Sequence, residues 1–277
     1  MFTRTTGLVI VPLWLLAMGW LFVHDIRPRW ATSDPPTVKP ADWLHQDSPR
    51  AEYVISGPLG RIGALWTTYL IDEQSVRRDD LIWIDRLPFD LTPIRVDVNS
   101  VFTNEGVLDE FTVRLETHLT RTPLKLHGER FHADFSFTLE HGPSVSAFKI
   151  PLSEAGMLSG AFSPFNRFHE LHVGQTWRMQ VFNPLAAVMN LGPKFIPLVV
   201  AVTGEERLRT SFWEGNCRIV EAGKVRAWVD AGGEIQRQQI DLPVLGLVTM
   251  DRMPDFDSEA RNSARKFQFL GKKTESE

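Results

Sequence analysis

The sequence predicts an all-β, mainly antiparallel protein. The expected form is a large curved meander sheet or half-barrel with a short helical or loop insertion, preceded by one transmembrane helix. Three observations predict it. Between Val199 and Arg252, runs rich in Val, Ile, Thr and aromatics are divided by turns at Trp213-Glu214-Gly215-Asn216, Ala222-Gly223 and Ala231-Gly232-Gly233, the pattern of strands joined by tight hairpins. Two further segments alternate with period two. Phe111, Val113, Leu115 and Leu119 oppose Thr112, Arg114, Glu116 and His118; Phe131, Ala133, Phe135, Phe137 and Leu139 oppose His132, Asp134, Ser136 and Thr138. Such alternation puts one face on an apolar interior and the other on water. Finally, Gly7 to Val23 carries no charge.

That N-terminal run, extended by Thr5 and Thr6, forms a helix of about 28 Å, close to the hydrocarbon thickness of a bilayer. Trp20 and Trp30 lie toward one end, where indole rings favour the interface. Ala17-Met18-Gly19 offers a small-x-small cleavage site, but cutting there leaves Trp-Leu-Phe-Val as the new terminus, so an uncleaved signal anchor is the favoured reading. Arg4 before the span and Arg27 and Arg29 after it, offset by Asp25, leave the positive-inside count near balance. The expected organisation is an anchor at 1–24, a Pro-rich linker at 25–50, an antiparallel β domain at 51–254 and a polar tail at 255–277. Within the tail, Ser258 to Phe269 reads as a short helix.

The 277 residues, 43% hydrophobic and 23% charged, suffice for one large all-β domain or two small ones. A net charge of -4 without a basic stripe argues against nucleic acid as a partner. The lone cysteine, Cys217, excludes an intrachain disulfide and any Cys-rich metal centre. With no clear base beside it, it reads as a structural thiol.

Taken in order, 51–72 opens the fold. Ile62, Ala64, Trp66, Thr68 and Leu70 alternate with Leu65, Thr67, Tyr69 and Ile71; both faces are largely apolar, which marks a central strand. Gly60-Arg61-Ile62-Gly63 has no following GK[ST] and is not a phosphate loop. Asp79 to Arg86 and Ile94 to Thr103 read as further strands. The two alternating segments follow. If they paired in one register, His118 would face His132 beside Glu116 and Asp134, a zinc-capable set; the solvated polar face is the favoured reading. From Pro151 to Thr176 the strand pattern breaks. Phe162, Phe165, Phe168 and Leu171 have the spacing of a short amphipathic helix or packed loop. His169-Glu170-Leu171-His172 is one residue short of H-E-x-x-H, and Ser159 is in no G-x-S-x-G elbow.

Several of these pieces occur in a recognisable succession. Arg61-Ile62-Gly63 opens a strand, L-x-V-G-Q-T-W ends at Trp177, and Asn183-Pro184 follows. V-T-G-E-E then lies at Val202 to Glu206, and A-W-V-D-A-G-G-E-I at Ala227 to Ile235. Over residues 50–254 this resembles the poorly characterised β-rich envelope domains that occur alone or ahead of transglutaminase-like domains in bacterial membrane-anchored proteins. More distantly it resembles periplasmic lipoprotein-carrier half-barrels. The resemblance implies a strongly curved sheet without catalytic residues of its own, on the periplasmic side of a single-pass inner-membrane protein. The chain departs from the larger architecture: no transglutaminase-like Cys-His-Asp set follows, and Cys217 precedes a strand rather than a helix.

The leading functional reading is a non-enzymatic envelope domain, held to the membrane by residues 7–23, that binds a lipid, a lipid-like molecule or a partner segment in its concave face. The aromatic interior face supplies the expected ligand-binding residues Phe111, Val113, Leu115, Phe135 and Phe137. Phe165 and Phe168 come from the insertion and Trp177 from the strand after it. No catalytic residue, metal ligand or cofactor is assigned. The alternatives are a structural or interaction protein of the envelope with a solid core and, behind it, a metal-dependent hydrolase using His118, His132 or His169.

Overall fold

The computed structural model describes residues 50–72, 74–86, 93–103, 108–118, 122–132, 134–151, 157–159, 168, 170–182, 195–242, 245–267 and 269. The expected anchor and the expected linker lie outside them, except that Arg50, the linker's last residue, already opens the first strand. No described helix is long and apolar enough to cross a membrane.

The strands are β1 (Arg50–Gly57), β2 (Gly60–Ile71), β3 (Ser75–Ile84), β4 (Ile94–Thr103), β5 (Leu108–Thr117), β6 (Leu124–Phe131), β7 (Asp134–His141), β8 (Ser144–Pro151), β9 (Met157–Ser159), β10 (Thr176–Phe182), β11 (Phe195–Arg209), β12 (Glu214–Ala222), β13 (Val225–Val229), β14 (Ile235–Leu242) and β15 (Gly246–Arg252). Among the described residues one helix, α1, spans Ser258–Lys266. The strands form a single sheet in the order β8-β7-β6-β5-β4-β3-β2-β1-β15-β14-β13-β12-β11-β10-β9. Neighbours are antiparallel except β9 and β10, which are parallel. It is a meander cut and rejoined once, where β15 pairs with β1. The meander from Val199 onward and the strand Ile94 to Thr103 are present, whereas the strand expected from Asp79 begins earlier, at Ser75. The turn expected at Trp213 to Asn216 falls earlier, closed by Thr210 N donating to Trp213 O, and Glu214 to Asn216 already belong to β12. The single strand expected over Phe131 to Leu139 is divided by a turn: Phe131, 54% exposed, ends β6 and Asp134 opens β7. β2 is central, and its adjacent residues Leu65 and Trp66, on opposite faces, are 0% and 2% exposed.

Chain connectivity dictates that the sheet is curled. β8 and β9 are its two edges, yet β8 ends at Pro151 and β9 begins at Met157. Six extended residues reach at most about 21 Å. A flat sheet with these 15 strands would hold its edges about 67 Å apart at ~4.8 Å per strand. The sheet therefore rolls back toward itself. Register shifts at Ile55/Ser56, Val101/Phe102, Val202/Gly204 and Trp228/Val229 supply local bends, because an extra residue on one strand turns it away from its partner.

The inner face carries three apolar clusters. Over β10–β14 they are Trp177, Val200, Val220, Ala227 and Ile235, capped by Phe168 and Leu171. At the centre lie Tyr53, Ile55, Leu65, Ile82, Val96, Val248 and Met250. Over β6 and β7 lie Leu126, Phe135, Phe137 and Leu139. The cap over the first cluster is pinned by backbone. Phe168 N donates to Gly233 O at 2.9 Å, and Gly233 has φ +79, with an added Cβ falling 1.8 Å from Phe168 O. Gly233→Ala therefore meets both left-handed strain and a backbone clash, and is expected to cost about 2 kcal/mol, read as a lowered urea midpoint.

Helix α1 packs on the outer face. Ala260 and Ala264, one turn apart, meet Ala64, Trp66, Leu81 and Trp83; the small side chains let the helix lie close to the sheet. Asp257 caps its start, accepting from Glu259 N and Ala260 N at 3.0 and 2.9 Å, which satisfies otherwise orphaned donors. Glu52 on β1 accepts from Asp257 N at 2.8 Å. At the other end Arg95 Nη1 donates to the carbonyls of Ala264, Arg265 and Phe267 at 3.4, 2.7 and 3.0 Å. Its Nη2 pairs with Glu116.

Candidate functional site

The expected binding residues divide between two places. Phe111, Val113 and Leu115 on β5 and Phe135 and Phe137 on β7 share the inner face, but β6 separates the two strands. Phe111 stands opposite Gly128, and Gly128 opposite Phe137. The glycine makes the aromatic packing possible: a Cβ there would lie 2.4 Å from Phe111 Cε1 and 2.8 Å from Phe135 Cε1. Phe111 stacks on Phe135 with centroids 5.9 Å apart, and Phe137 stacks on Phe148 of β8 at 4.9 Å. Phe135 and Phe137 are each 1% exposed. Phe111, Val113, Leu115, Val98 and Phe148 are half-buried although they face inward. The result is a partly open apolar strip over β4–β8 with a closed aromatic floor.

Phe168 and Trp177 belong to the other cluster, with ring centroids 5.8 Å apart; both are buried, and they pack with β11–β14 rather than with Phe135. Phe165 lies outside the described residues. The zinc-capable register is corrected by the strand order. His118 follows the end of β5 and His132 the end of β6, at opposite ends of that hairpin, separated by roughly the 27 Å length of an eight-residue strand. His169 is outside the described residues, and among those described no cluster of His, Cys, Asp or Glu could hold a metal ion.

The interior also contains charge that the alternating pattern does not announce. Arg78 and Asp80 on β3 point inward, 5% and 2% exposed. Arg78 Nε contacts Asp80 Oδ2 at 2.9 Å, and Thr67 Oγ1 donates to Asp80 Oδ1 at 2.6 Å. The Arg78 guanidinium lies over the Tyr69 ring. Arg252, opposite Tyr53, pairs with Glu234. Next to this network, where β1 begins and β15 ends, a cleft of about 260 Å³ opens, lined among others by Arg50, Trp213, Asp230, Glu234, Gln236 and Arg252. Its polar groups hold one another. Asp230 Oδ1 accepts from Glu234 N at 2.9 Å, and Gln236 Nε2 donates to Asp230 Oδ2 at 2.7 Å. Among the described residues, no Ser, Thr, Cys, His or Lys lines the cleft. The arrangement offers hydrogen bonds, charge and aromatic surface for recognition. One signal for the network was present in the sequence: Arg77-Arg78-Asp79-Asp80 puts a cation and an anion on each face of a strand whose neighbours are apolar.

The network and the strip adjoin. One row across the sheet runs Phe111, Ser100, Arg78, Tyr69, so the aromatic strip ends beside the buried ion pair.

Burial also fixes a pH dependence. Burial pushes the Tyr53 and Tyr69 hydroxyls above their usual range. The same cause pushes the Cys217 thiol up to about 12. The native state keeps these protons where the unfolded chain releases them, so raising the pH favours unfolding. Their contribution is full below about pH 9 and declines through the alkaline range. The urea midpoint is expected to fall steadily above pH 9, and Cys217 is expected to resist thiol alkylation at pH 8 until denaturant is added.

No family model and no curated protein matches the chain. Among solved structures it is similar to a DUF1089 family protein from Pseudomonas aeruginosa, at 17% identity and a TM-score of 0.37, covering 65% of this chain and 90% of that one. It is also similar to a β-barrel-like protein of the domain of unknown function DUF1849 from Brucella abortus, at 10% identity and a TM-score of 0.36, covering 74% and 95%. At these TM-scores neither likeness bears on the site, and the tie to transglutaminase-like domains stands as an expectation.

Proposed function

We propose that this chain is a non-enzymatic, membrane-anchored envelope domain that binds a lipid-like molecule on the inner face of its rolled sheet. The observation that carries the reading is the strip formed by Phe111, Val113 and Leu115. These residues face inward over the buried rings of Phe135 and Phe137, yet they are only half-buried. Apolar side chains left partly open inside a curled sheet offer an apolar molecule a place to lose its own contact with water. The Arg78–Asp80 pair lies at the end of that strip, in the row that runs through Phe111 and Ser100, and suits a ligand with a polar end. Residues 7–23 provide the anchor in this reading, with the β domain on the periplasmic side of the inner membrane.

Native mass spectrometry and solvent extraction of the full chain test it. A copurifying amphipathic molecule is expected, along with saturable binding of a fluorescent fatty-acid probe. Val113→Lys sets an ammonium into the strip and is expected to weaken probe binding at least tenfold, or ~1.4 kcal/mol. An apo mass together with no saturable probe binding overturns the ligand reading and favours a scaffold with a solid core.

A further inference from the structure

The two edges of the sheet are built differently. β9, Met157–Ser159, is three residues long, and shortness is one way natural proteins blunt an edge. β8, Ser144–Pro151, is eight residues long and pairs with β7 without a register shift. Between Ser144 and Ile150 it contains no proline and one charge, Lys149. Ser144 to Ala147 and Lys149 are exposed, Val145 at 65%. Among the described residues no strand pairs with its free side. A long, unbulged, nearly uncharged edge presents a row of backbone donors and acceptors and lacks the usual protection against pairing.

We propose that β8 is a dimerisation strand, pairing antiparallel with β8 of a second copy of this chain about a two-fold axis at Ala147. The sequence of β8 selects this occupant. A two-fold normal to the sheet keeps inner residues opposite inner ones, so residue numbers across the pair must sum to an even value. Centring at Ala147 gives the pairs Ser146 with Phe148, Val145 with Lys149 and Ser144 with Ile150, and engages the whole proline-free stretch. Each Lys149 then faces a valine rather than its own copy, so the lone charge of the strand meets no repulsion. Phe148, half-buried and stacked on Phe137, continues the inner apolar face toward the partner. A closed C2 contact of this kind is self-complementary and leaves no free β8 edge. This surface is independent of the ligand reading.

The test uses the full chain in mild detergent. Analytical ultracentrifugation is expected to show a concentration-dependent dimer. Ala147→Cys puts one thiol on the axis, where directly opposed Cβ atoms lie ~4.5–5.5 Å apart, within reach of a disulfide; oxidation is expected to give a cross-linked dimer. The native Cys217 is buried and does not compete. Val145→Cys lies four residues from its own copy across the pair and is expected to stay uncross-linked. Val145→Lys sets two lysines opposite each other across the interface while facing Glu140 within its own chain. It is expected to weaken the dimer at least tenfold with the fold retained by circular dichroism, and adding Lys149→Glu is expected to restore it. A monomer at every concentration, or Val145→Cys cross-linking as readily as Ala147→Cys, overturns the proposal.

Discussion

Arg95→Met is expected to release helix α1 from the sheet and to destabilise the protein by about 3–5 kcal/mol, the usual cost of breaking a buried ion pair from one side. Arg95 is 8% exposed and Glu116 4%, so the substitution leaves a carboxylate buried without this cation. Glu116 keeps Arg114, whose Nη2 lies 2.6 Å away but whose side chain is 39% exposed. Three carbonyls at the C-terminal end of α1 lose their donor at the same time. The helix is too short to persist without its docking surface. Limited proteolysis should therefore cut within Ser258–Lys266 in the variant under conditions that leave the wild type intact. Thermal unfolding of the β domain should shift down in parallel. The neighbouring Asp79 contacts to Arg261 and Arg265 offset part of the loss, and Asp79→Asn combined with Arg95→Met should exceed either single change.

Phe137→Ala is the second large effect. The ring is 1% exposed and meets Phe135 at 5.1 Å, Phe111 at 5.9 Å and Phe148 at 4.9 Å. Deleting it removes the hub of the aromatic floor and leaves a cavity that Gly128, directly across the strand pair, has no side chain to fill. The expected loss is about 3–5 kcal/mol, measured by urea unfolding. The same change deepens the strip under Phe111, so a small apolar probe should bind the surviving native fraction as well as it binds wild type, or better. Val113→Lys acts the other way, closing the strip to apolar ligands. The two variants thus separate a site that holds an apolar molecule from a face that merely packs on itself. Equal probe responses in both would count against the site.

Much of this architecture was legible because its signals are local. Strand-prone runs and Gly-containing turns announce the meander from Val199 to Arg252, with the turn before β12 a few residues earlier than the glycine suggests. An apolar pattern on both sides of Ala64 to Ile71 can be satisfied only between two strands. Ser258 to Phe269 reads as a short helix, and the structure forms it over Ser258–Lys266. The aromatic inner face was legible for the same reason, since every second residue of a strand points the same way.

What stayed hidden depends on which strands become neighbours, and that is settled by contacts far apart in sequence. The segments 111–119 and 131–139 alternate in the same way, but Leu124–Phe131 comes between them in space, which separates His118 from His132. Phe168 and Trp177 share the aromatic character of Phe135 without sharing its cluster. Arg78 and Asp80 share one strand, and Glu234 meets Arg252 across the β14–β15 pair, but that Arg78 and Asp80 are buried inside is decided only when the whole sheet curls. The sequence by itself determined the all-β class, the faces of the strands it located and the short helix, because propensity and periodicity act within a few residues; β6, β8 and the turn after Phe131 carried no such signal. The tertiary structure alone decided strand order, the rolling of the sheet and the placement of buried charge, because these follow from which distant surfaces exclude water together.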